Sequence, residues 1–476
     1  MRKNRFLAAP VLALALAVGA CDQGLTDIND NPNAPEAVPG EYLLANAIVD
    51  AVGSNPHATH GVWYGLYMTD IWSQHVAQSQ YNDEDRYTPR ESQITGIWDE
   101  AYTGPLADLK LVKKVAETDG DDNLFAVGEI LSQWIFQHLT DAYGDIPYSE
   151  ALKGDEGIRL PRYDAQEDVY EGMLAALTAA SARIDAGADA SFEAGDLIYH
   201  GDMEKWRRFA NSLRLRMAMR MSNVSATFAR DQFVAAFNAG VFQSNADNAV
   251  LQWGAEVPSQ NPIYDYYINQ DRGGDFVISA TIVDSLAHRD DPRLAVFADL
   301  SDDGVYRGLP NGTLPGDYEL PEGATFSQLG SYFLEPDAPS VIMSYAEVQF
   351  LLAEAAARGW IGGSPAAYYQ AGIRASMEQY GIDEAAITGY LAQPEVFYNG
   401  LPSIYFQKWV ALFMTGAEAW AEVRRTGFPA LTPTRGSEIP ARIPYPNQEQ
   451  LYNPTNWTAA GGENVTLFDN LWWDPS

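Results

Sequence analysis

Apolar residues recur at steps of three and four along much of the chain, which is the spacing of one face of an α-helix. The clearest runs are Leu124, Val127, Leu131, Trp134, Ile135 and Leu139, and Tyr345, Val348, Leu352 and Ala355. Similar spacing predicts helices near residues 98–113, 169–184, 206–221 and 406–413. Because strand-type alternation is scarce by comparison, the pattern predicts a mostly α-helical fold.

A helix-turn-helix pair is predicted after residue 345. Its first helix meets the glycine-rich segment 359–363, where glycine readily ends a helix. Ser364 and Pro365 then supply a good N-cap and a good first helical residue for the next one. We expect such pairs to stack as they do in tetratricopeptide arrays, although no strict sequence repeat is visible.

Two stretches interrupt the helical pattern, at about 243–282 and 299–341. Both are rich in Gly, Pro, Asp and Asn and carry many aromatic residues. Long irregular loops on a rigid scaffold often carry binding function. We therefore expect the ligand-binding loops to lie largely in these insertions.

The N-terminus has the features of a bacterial lipoprotein signal. Positively charged residues precede an apolar run from Leu7 to Ala17, which is too short to span a bilayer. The run leads to Gly19-Ala20-Cys21, and Cys21 is the only cysteine of the chain. Residues 1–20 are therefore predicted to be a signal peptide and Cys21 the site of lipid attachment, which leaves no thiol for catalysis or a disulfide.

The chain after the signal divides into a tether and one large domain. Residues 21–40 are acidic and rich in Asn and Pro, a composition that favours an extended segment. No low-complexity linker interrupts the rest. We therefore predict a flexible tether over residues 21–40 and a single helical domain over residues 41–476.

The mature chain is strongly acidic. Loss of the three positive charges of the signal lowers the formal net charge from −34 to −37. Such a surface repels nucleic-acid phosphates, so a nucleic-acid function is excluded. One predicted helix nevertheless carries five arginines, which we expect to form ion pairs that tie helices together: Arg207, Arg208, Arg214, Arg216 and Arg220.

Catalytic and metal-binding motifs are weak. His57 and His60 lack a glutamate at the spacing that zinc-protease motifs use, and no cofactor motif is complete. We therefore predict a non-enzymatic protein without cofactor or metal. Two alternatives stay open, a glycoside hydrolase whose paired carboxylates leave no sequence signature and a helical-repeat scaffold for other surface proteins.

A binding site for a glycan needs aromatic rings that stack on sugar CH faces, next to polar groups that fix hydroxyls. Three loop stretches supply this mixture, and a peptide backbone would also suit them. The candidate ligand-binding residues are Trp72, Tyr81, Arg86, Tyr87, Asn261, Tyr264, Tyr266, Tyr267, Asp271, Arg272 and Tyr332.

Short phrases spread over most of the mature chain resemble the SusD/RagB family of nutrient-binding outer-membrane lipoproteins, especially its SusD-like branch. Each phrase is weak by itself, but their order and coverage argue against chance similarity. They include residues 31–35 (NPNAP), 140–148 (TDAYGDIPY), 161–164 (PRYD), 291–294 (DPRL), 344–347 (SYAE), 424–427 (RRTG), 442–446 (RIPYP) and 472–474 (WWD).

The resemblance implies a SusD-like fold with tetratricopeptide-like helix pairs. It also implies a lid over a SusC-like TonB-dependent transporter, which captures a glycan or a peptide and delivers it to that barrel. Asp22 and Asp27, just after Cys21, resemble a surface-export signal. The expected location is therefore the outer membrane, facing the cell exterior. The family phrases themselves are better explained by structure: Asp145 could cap a helix, and Trp206 could lie in the core.

Overall fold

A computed structural model describes residues 38–53, 64–314, 316–436 and 438–474. Cys21, the predicted signal and most of the tether lie outside the described residues, as do His57 and His60. The chain divides into two units, Met1–Pro39 and Gly40–Ser476.

The second unit is mostly helical, as the periodicity predicts. The helices are α1 Gly40–Val52, α2 Glu91–Thr103, α3 Pro105–Asp119, α4 Asp122–Tyr143, α5 Gln166–Arg183, α6 Met203–Arg220, α7 Ala226–Ala239, α8 Ala280–Ala287, α9 Tyr345–Ala357, α10 Pro365–Gln379, α11 Glu384–Leu391, α12 Leu401–Ala411, α13 Gly416–Thr426, α14 Asn447–Tyr452 and α15 Pro454–Ala459. Consecutive long helices pack on one another from α3 to α7, and α9 packs on α10. In the described ranges, none of the helices is both apolar and long enough to span a membrane.

The predicted helix pair after residue 345 is confirmed as α9 and α10. Ser364 accepts a hydrogen bond from the backbone N–H of Ala367 at 3.3 Å, so it caps α10 as expected. The single helix predicted over 98–113 is wrong, because it is broken between Thr103 and Pro105 into α2 and α3. Proline cannot donate a helical hydrogen bond, and Gly104 approaches the carbonyl of Glu100 too closely for any larger residue.

Four short strands form two antiparallel pairs among the described residues. Strand β1 Val76–Gln78 pairs with β3 Phe276–Ile278, and β2 Ala249–Leu251 pairs with β4 Ser340–Met343. Both pairs join segments that are far apart in the chain, since even the paired Leu251 and Ser340 are separated by almost 90 residues. They fasten the predicted loop regions to one another and to the helical body.

A network of buried charges holds the helical body together. It joins α4, α6, α9, α12 and α13, and five cationic and five acidic side chains take part: Arg216, Arg220, Lys408, Arg424 and Arg425 with Asp141, Glu347, Glu354, Glu418 and Glu422. The expectation that arginines of α6 tie helices together is confirmed by Arg216 and Arg220.

Arg216 and Arg220 occupy the centre of this network. Arg216 Nη2 lies 2.7 Å from Glu347 Oε2, and its Nη1 lies 3.4 Å from Glu418 Oε1. Arg220 Nη1 lies 3.2 Å from Asp141 Oδ2, and its Nη2 contacts the other oxygen of Glu418. Glu418 thus serves two arginines at once, so removal of its charge would take one acidic partner from each of them.

The second half of the network joins α9, α12 and α13. Arg425 Nη2 lies 2.7 Å from both Glu354 Oε2 and Glu422 Oε2. Lys408 Nζ lies 3.2 Å from Glu422 Oε1. Arg424 instead donates to the backbone carbonyls of Asp141 and Ala441, while its guanidinium stacks over the Trp420 ring at 3.3 Å.

The network predicts that the helical body loses stability in acid. Burial by itself raises the pKa of Glu354, Glu418 and Glu422, but the neighbouring arginines outweigh burial and hold all three pKa values below the usual range. Carboxyls with lowered folded pKa values stabilise the fold above their unfolded pKa, and that contribution is lost as the pH falls. Calorimetric unfolding should therefore show a near-constant Tm down to about pH 4.5 and a steep fall below it. Asp141, whose pKa burial raises, acts in the opposite direction but is outnumbered.

The matched variants are Glu418→Gln and the exposed Glu384→Gln. Glu418→Gln should lower the free energy of unfolding by about 3–5 kcal/mol, because two buried arginines lose a charge partner. Glu384→Gln should change it by less than about 1 kcal/mol, although Glu384 also contacts an arginine. If both variants lost the same free energy of unfolding, burial would not be what makes the contacts of Glu418 stabilising.

Candidate functional site

The loop that follows β1 presents one exposed aromatic ring. Tyr81 is 64% exposed and adopts a left-handed backbone conformation with φ of +52°. A non-glycine residue in that region is uncommon, and it persists only where its surroundings fix it. The neighbours of Tyr81 in the chain supply that constraint.

Glu84 fixes one side of the loop. Its carboxylate accepts hydrogen bonds from Arg90 Nε at 2.7 Å, Arg90 Nη2 at 3.0 Å and Gln78 Nε2 at 3.1 Å. Its backbone carbonyl accepts a bond from the indole N–H of Trp72 at 2.9 Å. Glu84 is fully buried, so these bonds are shielded from competing water.

Asp85 fixes the other side of the loop. It accepts bonds from the backbone N–H of Gln78 at 3.1 Å and from Asn311 Nδ2 at 2.8 Å. Burial raises the pKa of Asp85 to about 6, although the hydrogen bonds from Gly312, Asn311 and Gln78 act to lower it. The Tyr81 loop is therefore tied to the distant segment 311–312 as well as to its own ends.

A second predicted loop lies beside the first. Residues 262–264 form one short helical turn that continues into a π-helical turn, Asp265–Asn269. Arg272, just beyond it, places its guanidinium 5.5 Å from the centre of the Tyr81 ring and 5.2 Å from that of Tyr266. Arg272 Nε also lies 2.8 Å from Asp275 Oδ2, which accepts a bond from the Tyr266 hydroxyl at 2.7 Å. Burial, followed by the bond to Asp275, raises the pKa of Tyr266.

The β1–β3 pair brings the two loops together. Gln78 opposes Phe276 in the register, and the N–H of Ser79 continues the ladder by donating to the carbonyl of Asp275 at 3.0 Å. Tyr81 and Arg272, almost 200 residues apart in the chain, therefore share one surface. We call Tyr81, Arg272 and Asp275, together with the buried Tyr266 ring beneath Arg272, the Tyr81–Arg272 surface.

Several predicted ligand residues are structural instead. Trp72 is fully buried and packs edge-on against Trp420 at a ring distance of 5.0 Å, so protein covers its ring, and its contact with a ligand stays a prediction. Tyr87 is nearly buried, and its hydroxyl accepts a bond from the backbone of Thr434 at 3.0 Å. Tyr267 is also buried, with its hydroxyl donating to the carbonyl of Phe276 at 3.0 Å.

Asn261 is likewise a structural residue. Its amide donates to the carbonyl of Ala338 at 2.7 Å and its oxygen accepts from the N–H of Ile263 at 2.7 Å. With Tyr332, Asn261 lines a small internal cavity of about 60 Å³. Tyr332 is partly buried and packs edge-on against Tyr380, so the structure places these two residues apart from the Tyr81–Arg272 surface.

The remaining predicted residues stay accessible. Arg86 and Tyr264 are partly exposed, and Asp271 is exposed. Asp271 also has a left-handed backbone with φ of +54°, like Tyr81. These three residues lie on the same two loops as the Tyr81–Arg272 surface.

A groove of about 680 Å³ adjoins the π-helical turn and lies mostly within the predicted insertion 243–282, but none of the predicted ligand residues lines it. Its lining combines apolar residues with side-chain amides. The lining includes Leu197, Leu251, Trp253, Val257 and Pro262 with Gln252, Gln260 and Gln270. Among the described residues that form it, Asp265 is the one with a charge. Such a groove suits a neutral chain with apolar faces and many hydrogen-bonding groups.

The accessible side chains offer groups that can bind a ligand. Tyr81 offers an exposed ring face, Arg272 and Asp275 offer charged hydrogen-bonding groups, and the groove offers amides. Over the described part of the chain, no cluster of three His, Cys, Asp or Glu side chains is arranged to hold a metal ion. The accessible residues therefore match the aromatic and polar mixture that sugar recognition requires.

Comparison with known families and structures gives a consistent result. Residues 32–446 match the family SusD-like_2, described as starch-binding and associating with outer membrane. A comparison of the sequence with curated proteins gives no significant match.

Solved structures are similar over almost their whole length. A chitin-binding protein shares 29% identity with a TM-score of 0.81, covering 92% of this chain and 99% of its own. A chitin-binding SusD homolog from Flavobacterium johnsoniae shares 28% with a TM-score of 0.79, covering 91% and 98%. A SusD homolog from Bacteroides uniformis shares 26% with a TM-score of 0.80, covering 92% and 98%. With the helical fold and the matched residues together, the chain belongs to the SusD-like family, as its sequence phrases indicated.

Proposed function

We propose that this protein is a surface lipoprotein that binds a glycan and delivers it to a SusC-like TonB-dependent transporter. The observation that carries the binding role is the stacked arrangement of Tyr81, Arg272 and Tyr266 on two loops joined by the β1–β3 pair. The family description, starch-binding and associating with outer membrane, supports the same role and location.

The ligand surface is built in advance. Buried Glu84 and Asp85 hold the Tyr81 loop through at least five hydrogen bonds, so little conformational entropy remains to be lost when a sugar ring stacks. Arg272 is held by Asp275 and covers the second ring, Tyr266. A sugar can thus stack on Tyr81 while its hydroxyls reach Arg272 and Asp275 at the rim.

Chitin oligosaccharides are the first ligands to test. Two of the similar solved structures are chitin-binding proteins, at 29% and 28% identity. The groove beyond the π-helical turn has side-chain amides from Gln252, Gln260 and Gln270 and a single charge. Amide groups can both donate to and accept from the N-acetyl groups of such a neutral glycan.

Tyr81→Ala should weaken binding of hexameric N-acetylglucosamine roughly two- to twelvefold, the range that corresponds to about 0.5–1.5 kcal/mol for an aromatic stack. Arg272→Ala should weaken binding at least as much, because it also frees Asp275 and uncovers Tyr266. Isothermal titration calorimetry on the soluble domain measures both.

The control is Tyr42→Ala on α1, since Tyr42 is 63% exposed but lies outside the two loops. Its affinity should equal that of the unchanged protein. If the Tyr81 and Arg272 variants bind as well as the Tyr42 variant, the Tyr81–Arg272 surface is not the glycan site.

Delivery requires a transporter partner and a membrane anchor. Gentle detergent extraction followed by affinity capture of the full-length protein should bring down a TonB-dependent barrel in a stoichiometric amount. Cys21→Ala, which removes the proposed lipid, should release the protein from the membrane fraction without changing its glycan affinity. If the captured protein brings down no TonB-dependent barrel, the delivery role is contradicted. Glycan binding by the isolated domain is measured separately and would not be affected by that result.

A further inference from the structure

Another cleft lies between α2, the loop 147–161 and α14. Its volume is about 260 Å³. Its lining includes Trp98, Asp99, Tyr102, Pro147, Leu152, Leu160, Glu449 and Tyr452. We call it the Glu449 cleft.

The rim of the Glu449 cleft carries unusually exposed apolar side chains. Leu160 is 57% exposed, Tyr452 is 69% exposed and Leu451, next to Tyr452, is 77% exposed. Single exposed apolar residues are ordinary, but a group of them around a cleft is typical of an interaction surface. The rim therefore has the character of an unfilled interface.

This apolar rim is held in place by hydrogen bonds. Asn453 Nδ2 donates to the carbonyl of Pro161 at 2.7 Å, and Asn456 Nδ2 donates to those of Leu160 and Pro161 at 3.0 and 3.1 Å. These bonds fasten the loop to α14 and α15 while the Leu160 side chain faces solvent. The backbone that carries Leu160 is therefore already fixed, which lowers the conformational entropy lost on binding.

The chemistry inside the cleft is acidic. Glu449 Oε2 accepts a hydrogen bond from the Tyr163 hydroxyl at 2.5 Å, and Asp99 accepts one from the side chain of Gln448. Burial raises the pKa of Glu449, and the nearby charge of Asp99 raises it further, although Tyr163 acts to lower it. The groups that donate hydrogen bonds to these two carboxylates are uncharged. Among the described residues, neither carboxylate forms an ion pair with a cationic side chain.

Arg159 is the cationic residue that lines this cleft, and it is exposed. It forms no ion pair with any described carboxylate, so it leaves the charges of Asp99 and Glu449 unneutralised. A cation delivered from outside would relieve the repulsion between them. The faces of Tyr102 and Tyr452 would favour the same cation through their ring electrons.

We propose that the Glu449 cleft is a docking site for a protein segment that carries a lysine or arginine flanked by apolar residues. The cation would lie between Asp99 and Glu449, and the apolar neighbours would cover Leu160, Leu451 and Tyr452. This role is separate from glycan binding, because the cleft is lined by neither of the two loops that carry the Tyr81–Arg272 surface.

Two short peptides test the docking site on the soluble domain: acetyl-Leu-Arg-Leu-amide and the neutral acetyl-Leu-Gln-Leu-amide. Saturation-transfer NMR titration should show that the arginine peptide binds about fivefold more tightly. Glu449→Gln, which keeps an acceptor for Tyr163, should remove this preference. Leu160→Ser should weaken both peptides alike, and Glu322→Gln in an exposed loop outside the cleft should change nothing.

Equal binding of the two peptides, or a preference that survives Glu449→Gln, would overturn the proposal. Binding of glucosamine but of neither peptide would also overturn it, because a sugar amine would then be the occupant. Chitin oligosaccharide affinity of the Glu449 variant should match that of the unchanged chain. The two sites can therefore fail independently.

Discussion

The buried charge network is the constraint on which the rest of the structure depends. Charges removed from water are tolerated only when partners of opposite sign sit at close range, so the network fixes the distances between five helices. Glu418 must lie between Arg216 and Arg220, and Arg425 must lie between Glu354 and Glu422. A helix that slipped along its neighbour would leave a charge unpaired in the core. Apolar packing alone would penalise such a slip less sharply.

The two loops of the candidate site repeat this principle on a smaller scale. Glu84 and Asp85 are buried carboxylates whose hydrogen-bonding partners come from the loop itself and from residues more than 200 positions away. They hold Tyr81 in a backbone conformation that a tyrosine rarely adopts. Buried polar contacts therefore fix the packing of the helical body and the conformation of the Tyr81 loop. Through the loop, they also fix the position of the exposed Tyr81 ring. The proposed glycan contact on this surface depends on the rigid support below it.

Sequence reasoning predicted the helices well because their periodicity is local. The α9–α10 pair, the Ser364 cap and the ion-pairing role of the α6 arginines all follow from spacing or chemistry within one segment. The break at Gly104-Pro105 was also local, but the apolar periodicity runs through it and concealed it. The family resemblance supplied the overall fold, which spacing could not.

The candidate site was predicted only in part, because side-chain direction is not encoded in composition. Trp72 and Tyr267 belong to loops of the right composition, yet their rings point into the core. The contact between Tyr81 and Arg272 depends on strand pairing across almost 200 residues. Trp253 and Val257 carry no signal that marks them as groove residues. The Glu449 cleft was missed for a similar reason, since Asp99 and Glu449 are 350 residues apart.

The central claim is that a prebuilt surface on two joined loops binds glycan. Hydrogen exchange with and without hexameric N-acetylglucosamine tests it most directly. We expect amides of residues 78–87 to be protected already in the free protein, and added protection on binding to be confined to the two loops and the adjoining groove, residues 78–90 and 251–275. Added protection elsewhere, or free-state exchange at the unprotected rate within residues 78–87, would contradict it.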